Sequence, residues 1–464
     1  MNSNDPQVAP VTEPKDWQPD SWQSKPAAQQ ATYPDQDALG AALEHLKNLP
    51  PLVTSWEVNS LRELLADCAQ GRRFLLQGGD CAETFAECRS DVISNRLKVL
   101  LQMSLVLIHG LELPVVRVGR FAGQYAKPRS ADDETRDGVT LPSFRGDLVN
   151  GAEFTPEARI PDPQRLLKGH ARSAMTMNFV RGLIDGGFAD LHHPEYWDLA
   201  WVHHSPRASE YHSMVESVAS SLKFIETLAG RQVGALKRVD FFTSHEALHL
   251  HSEQAQTRQV PRQWGWFDLS THLPWIGMRT AAVDGAHVEF CRGIRNPIGI
   301  KLGPAMTQEW LTELLDIIDP NNEPGRIVLI HRMGADNVES GLPPLIECVQ
   351  RMQRQPLWVC DPMHGNTESA SSGVKTRRFG NITRELETAF DVHAGMGSRL
   401  GGVHLELTGE NVTECTGGAR DLTDDDLRRA YKSTVDPRLN YEQSLEMAML
   451  IVKKKASQGR AGLG

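Results

Sequence analysis

Four apolar, strand-like runs recur at intervals of roughly 30 to 45 residues from position 297 on, and each ends on a side chain able to hold a phosphate or a metal. They read PIGIKLGP, ending near Lys301; RIVLIHRMG, with Arg332; LWVCDPMHGN, with His364; and GGVHLELTGEN, with Glu406. Further cations follow earlier apolar runs: Arg120, Lys127 and Arg129 after PVVRVG, and Arg279 after LPWIG. So many like charges on one face repel unless anions neutralise them. Arg binds phosphate or carboxylate as a bidentate fork, and Lys acts as a point charge. Two anionic ligands explain six cations better than one. For metal chemistry the candidates are Cys81, His364, Glu406 and Asp436. One thiolate, one imidazole and two carboxylates suit a borderline divalent ion such as Mn, Fe, Co or Zn better than Mg or Ca.

Asp80, Glu83, His245, Glu246, His272, Asp361 and Glu410 also lie at strand ends and are read as counter-charges to the cations. Cys68, Cys88, Cys348 and Cys360 are read as small buried hydrophobes. The pairs His192–His193 and His203–His204 are read as surface, because adjacent residues do not share a helix face. The Gly-Gly of LLQGGDC is expected to let backbone approach a ligand; it is not a GxGxxG fingerprint, so nucleotide binding has no support.

Such residues need a scaffold that brings strand ends together. Strands alternating with helices predict parallel βα units, and in a closed barrel the C-terminal strand ends form the active-site face. Four more strands complete a set of eight: about 74–83, 114–121, 239–246 and 266–276. Helices are expected over 37–70, 306–318, 382–393 and the C-terminal NYEQSLEMAMLIVKKK. About 120 residues separate strands two and three, far more than one crossover requires, so the segment is an insertion, expected to be helical. The division is an N-terminal extension over 1–70 and a (β/α)8 barrel over 71–464, with the insertion at about 131–237. Residues 1–36 are rich in Pro, Gln, Asp and Ser but carry Trp17, Trp22 and Tyr33; either a solvated tail or an arm docked on its own or a neighbouring subunit fits that composition.

Composition narrows the classes. The formal net charge is −10, which argues against a nucleic-acid surface and makes any phosphate site a local concentration of cations. Seven scattered cysteines do not make a disulfide framework. No apolar run reads as a membrane span, and no signal or transit character is seen at the N-terminus, so a cytoplasmic location is expected.

Longer stretches carry a resemblance. KPAAQQATYPD (25–35), FLLQGGDCAETF (74–85), GRFAGQYAKPRSA (119–131), NPIGIKLGP (296–304), CDPMHGNT (360–367), GVKTR (373–377), GGVHLELTGENVTEC (401–415) and DPRLN (436–440) together resemble the type II (plant-like) 3-deoxy-D-arabino-heptulosonate 7-phosphate (DAHP) synthases. The resemblance implies a (β/α)8 transferase that condenses phosphoenolpyruvate with erythrose 4-phosphate, releases phosphate and opens the shikimate pathway. It implies metal ligands at Cys81, His364, Glu406 and Asp436. It implies a phosphoenolpyruvate clamp of Arg120, Arg279, Lys301 and Arg332, and erythrose 4-phosphate held by Lys127, Arg129 and Ser130. Lys127, Arg120 and Lys301 carry the catalytic roles. The implied cofactor is manganese, with cobalt as the alternative. The implied partners are a second copy of the chain in a dimer or tetramer, aromatic amino acid effectors and a chorismate mutase. One position departs: the family reads WIGERT where this chain reads WIGMRT, putting Met278 in place of a Glu beside the clamp. That leaves two alternatives in view, a regulatory paralogue and a synthase using another aldose.

Overall fold

The computed structural model describes residues 16–188 and 240–461, with scattered positions between 209 and 220. Eight runs rich in Val, Ile and Leu form the strands β1 (Phe74–Gly79), β2 (Val115–Arg120), β3 (Phe242–Glu246), β4 (Leu273–Ile276), β5 (Ile298–Leu302), β6 (Ile327–His331), β7 (Leu357–Cys360) and β8 (Leu400–Glu406). Nearly every strand residue is buried, as parallel strands covered on both faces require. Each strand pairs with its sequence neighbour and β8 pairs with β1, which closes a (β/α)8 barrel.

The fourth expected strand is shorter than its apolar run. Trp266–Asp268 pairs antiparallel with Thr257–Gln259, and only Leu273–Ile276 enters the barrel. The Asp268 side chain accepts the Ser270 N–H and turns the chain between the two pieces.

Helices surround the strands: α1 (Gln36–Asn48), α2 (Ser55–Ala69), α3 (Ser90–Leu111), α4 (Gln164–Asp185), α5 (Ala286–Gly293), α6 (Gln308–Ile318), α7 (Pro343–Arg351), α8 (Phe379–Gly395) and α9 (Tyr441–Ala461). The expected helical stretches fall on α1, α2, α6, α8 and α9. Thr54 and Glu57 form a capping box at the start of α2. Leu61, Leu65 and Cys68 of α2 join Leu75, Val116, Leu273 and Val359 in the barrel's inner core, so this helix plugs the end opposite the site. Helix α3 is long and apolar enough to span a bilayer, but it is mostly buried and packs along α9.

The insertion begins with a hairpin, Asp133–Arg136 against Val139–Pro142, and continues through α4. The second helix expected there lies mostly outside the described residues, and the pairs His192–His193 and His203–His204 lie wholly outside them. The N-terminal arm docks on its own chain from residue 16 on. Trp17 Nε1 donates to the Glu289 carbonyl at 2.8 Å, Trp22 Nε1 to Gln254 at 2.9 Å, and the Tyr33 hydroxyl meets His249 Nε2 at 2.8 Å.

Candidate active site

Strand parity aims the site. Side chains alternate between the barrel interior and the helix layer. Leu75, Val116, Val118, Phe242, Trp275, Val328, Ile330 and Val359 point inward. Two residues on from such positions stand Arg120, Arg332 and Asp361, and Glu246 shares the phase of Phe242. Lys301 is inward because Ile298, Ile300 and Leu302 pack outward. Register brings them level: Gly79 lies opposite both Arg120 and Glu406, and Lys301 opposite Ile330. Gly79 has a φ of 149°, and a Cβ there would meet the Arg120 backbone carbonyl at 2.8 Å. This glycine permits the close approach of the neighbouring strand.

A cavity of about 350 Å3 opens at the C-terminal strand ends. Arg120, Lys127, Arg129, Ser130, Arg279, Lys301, Arg332, Cys81, His364 and Asp436 all line it, with Glu246, Trp275, Met278 and Lys375. Glu406 lies beneath them, fully buried.

The four metal candidates meet. Donor atoms of Cys81, His364 and Glu406 lie within 4.8 Å of one another, and Cys81 Sγ is 3.5 Å from Asp436 Oδ2. His364 Nδ1 is 2.7 Å from Asp361 and Nε2 is 2.9 Å from Glu406, so a carboxylate behind the ring turns Nε2 toward the cluster. That is how a metal-ligating His is usually held. Burial pushes the Cys81 thiol up to about 12, with the Glu406 charge adding to it. A cation at the cluster reverses that shift, so the donor set fits a borderline divalent ion.

Most of the cations are compensated. Arg120 reaches Glu406 at 3.0 Å, Lys127 reaches Asp436 at 2.9 Å, Arg129 reaches Glu134 at 3.4 Å, and Lys301 pairs with Asp361. Arg120 and Lys301 also lie 5.3 and 5.9 Å from the Trp275 ring centre, a cation–π shelf. Arg279 and Arg332 differ: among the described residues neither has a carboxylate partner. Arg279 donates to Ser130 Oγ at 3.0 Å and Arg332 to the His364 carbonyl at 2.8 Å. Burial lowers the Lys301 ammonium to about 8, against the pull of Asp361. Burial also raises the Glu246 carboxyl, although Lys301 and His364 oppose it.

Two further cations belong to the site. Lys375 Nζ is 3.0 Å from Asp436 Oδ1, and the fully buried Arg377 donates to Glu406 Oε2 at 2.6 Å. They alternate on the short strand Lys375–Arg377, which pairs with Thr367–Ser369 just after His364. Two cations spaced by two in GVKTR were the available signal.

Other strand-end residues serve elsewhere. His245 faces Glu253, His272 faces Glu57 and Glu410 pairs with Lys432. Glu83 accepts the N–H groups of Gly123 and Gln124, fixing the turn before Lys127. Asp80 lies between Arg96 (2.5 Å) and Arg438 (2.7 Å). Arg438 also reaches Glu414 at 2.9 Å, and Glu414 accepts the N–H groups of Lys432, Ser433 and Arg438. This buried network ties the Asp436 loop to the residue beside Cys81.

Comparison with known proteins follows the geometry. A family profile described as "Class-II DAHP synthetase family" matches residues 17–452. The chain is 48% identical over 438 residues to the phospho-2-dehydro-3-deoxyheptonate aldolase of Streptomyces coelicolor, covering 94% of this chain and 97% of the relative. It is 48% identical to the protein of that name in Neurospora crassa, over 94% and 93% of the two chains. A relative in Mycolicibacterium smegmatis with the same base name is 44% identical over 97% of each.

Proposed function

The chain belongs to the class-II DAHP synthetase family, and from that premise we propose that its cavity joins phosphoenolpyruvate to erythrose 4-phosphate at a divalent metal held by Cys81, His364, Glu406 and Asp436. It is an enzyme of the 3-deoxy-7-phosphoheptulonate synthase class, a transferase. One observation carries the site assignment: metal-competent donors and two guanidinium groups with no acid partner among the described residues, Arg279 and Arg332, face one cavity.

Arg279, Arg332, Lys301 and Arg120 hold the phosphate and carboxylate of phosphoenolpyruvate. Arg129 and Ser130 hold the phosphate of the aldose. A bound divalent ion, manganese in this reading, supplies Lewis-acid polarisation of the aldehyde. C3 of phosphoenolpyruvate forms the new bond to the aldehyde carbon, and Lys127 donates its proton to the alkoxide oxygen. Water adds at C2, giving its proton to Glu246, whose raised carboxyl faces the pocket. The C2–oxygen bond to phosphate then breaks as the C2 hydroxyl gives its proton to the departing phosphate oxygen, leaving the C2 ketone and inorganic phosphate, and the proton held by Glu246 balances the one given up by Lys127. The family resemblance extends the reading to the plant-like subtype, a homo-oligomer and aromatic effectors.

The test is phosphate release. We expect release only with both substrates present, loss of activity after exhaustive chelation, and recovery with Mn2+. Aldose-independent release, or full activity after chelation, overturns the reading. Product analysis with several aldoses decides the substrate.

A pH dependence follows from Lys301. The protonated amine is the form that binds an anion, so affinity is present below about 8 and lost above it. kcat/KM for phosphoenolpyruvate, which reports the free enzyme, should fall as pH rises through about 8. Lys301→Arg should flatten that limb. A wild-type profile level to about pH 9.5 would contradict the assignment.

The intact set of donors and cations favours an active enzyme over a regulatory paralogue, with Met278 the one departure that points the other way. The Gly303 N–H donates to Met278 Sδ at 3.2 Å, and a Cβ on Gly303 would lie 3.3 Å from Met278 and 3.4 Å from Arg332. A carboxylate in that place pairs with Arg332 and competes with substrate. Met278→Glu should therefore raise KM for phosphoenolpyruvate several-fold and change kcat by less than about tenfold. A larger gain in turnover would mark the natural chain as catalytically impaired.

A further inference from the structure

The parity that sends Arg332 and Asp361 into the barrel sends the residues before them, His331 and Cys360, out toward the helices. These two are register partners on β6 and β7. Glu385 comes down onto them from α8. Donor atoms of the three lie within 4.8 Å of one another, and all three residues are 0% exposed. Neither ring nitrogen of His331 has a hydrogen-bond partner among the described residues. Buried polar groups are nearly always paired, so an imidazole with both nitrogens bare needs an explanation. His393, two turns along α8 from Glu385, adds a third bare nitrogen: its Nε2 is unpartnered among the described residues, and its ring centre is 5.6 Å from that of His331.

We propose that His331, Cys360 and Glu385 form a second, fully buried site for a borderline divalent metal, zinc by its donor set, distinct from the cluster in the active-site cavity. Thiolate, imidazole and carboxylate are the usual zinc donors, and four-coordination is usual for structural zinc. His393, with its bare Nε2, is the candidate fourth donor. Glu385 is already oriented: it accepts the N–H groups of Met333 (2.8 Å) and Gly334 (2.9 Å) and the Asn366 amide (2.6 Å). Such outer contacts fix a carboxylate without using all its lone pairs. Burial holds His331 neutral, lowered to about 3, so a lone pair is free for a metal. Burial also raises Cys360 and takes the Glu385 carboxyl to about 7, so both give up protons on binding and the cation compensates the two charges. The ion would brace β6 and β7 directly behind Arg332 and Asp361. Because no donor reaches the surface, it would enter before folding is complete and resist chelation afterwards.

The decisive sample is the Cys81→Ser chain, in which the cavity cluster has lost its thiolate, purified from zinc-supplemented culture and dialysed against EDTA. Elemental analysis should find about one zinc per chain. His331→Gln or Cys360→Ser added to that background should remove it. Cobalt-grown Cys81→Ser protein should show a thiolate-to-cobalt charge-transfer band that is absent when Cys360 is also Ser. Less than about a tenth of a zinc per chain in dialysed Cys81→Ser protein, with no cobalt–thiolate band, overturns the site. So does zinc retained by both double variants. If the double variants do not fold, the zinc content and cobalt band of Cys81→Ser alone decide.

Discussion

Glu406→Gln should cost on the order of 10^3-fold in kcat and most of the affinity for the catalytic metal. Glu406 is the one fully buried member of the proposed ligand set. One oxygen takes His364 Nε2 at 2.9 Å and Arg120 at 3.0 Å, and the other takes Arg377 at 2.6 Å. Burial opposes its charge, yet His364, Arg377 and Arg120 hold its carboxyl well below the usual range. Glutamine keeps the shape and removes the charge, so two buried guanidinium groups lose their counter-ion. Breaking one partner of a buried pair costs roughly 3–5 kcal/mol. The amide NH2 also faces donors where the carboxylate accepted. Metal titration and turnover on the same preparation check this. A variant that keeps metal affinity and kcat within about tenfold would remove Glu406 from the ligand set.

Arg438→Met should be the most damaging change outside the cavity, destabilising the fold by roughly 3–5 kcal/mol and weakening metal binding although Arg438 touches no substrate. Methionine fills much of the volume but leaves Asp80 and Glu414 buried without their shared cation. Burial already raises Asp80, with Arg96 and Arg438 as the opposing charges. Without Arg438 the Glu414 carboxylate still accepts the Lys432 and Ser433 N–H groups, but the link across to Asp80 is gone. The Asp436 loop would then lose its buried link to the residue beside Cys81. Denaturant unfolding and metal titration should both move. An unfolding midpoint and metal affinity like the wild type's would show that the network does not position the ligands. Arg438→Lys, which keeps a charge but not the fork, should fall between the two.

The sequence exposed the barrel because its signal is local. Each strand is a short apolar run, and α6 and α8 carry one apolar face at helical spacing. The site residues at strand ends were legible for the same reason: alternation decides inward or outward from a few neighbours, as with Lys301 between Ile300 and Leu302. What escaped depends on register and distant partners. Arg377 matters because Glu406 arrives 29 residues later, and Arg438 because Asp80 lies 358 residues earlier. No local pattern announces either meeting. The break in the run 266–276 was hidden because Trp266 and Phe267 are as apolar as a barrel strand; a turn at Asp268 and Ser270 separates them. Cys360 is buried in the core as a small hydrophobe should be, but composition cannot say that His331 and Glu385 stand beside it.

The docked arm has a consequence in time. Gln29 both donates to and accepts from the backbone of Arg129, at 3.0 and 2.7 Å, so the arm braces the loop proposed to hold the aldose phosphate. Yet Trp17 is made 272 residues before its acceptor Glu289. At ribosomal rates of roughly 5–20 residues per second, the arm waits on the order of 15–50 s, aromatics exposed, before its dock exists. A segment made early is thus placed late, and the phosphate loop cannot be braced until it is.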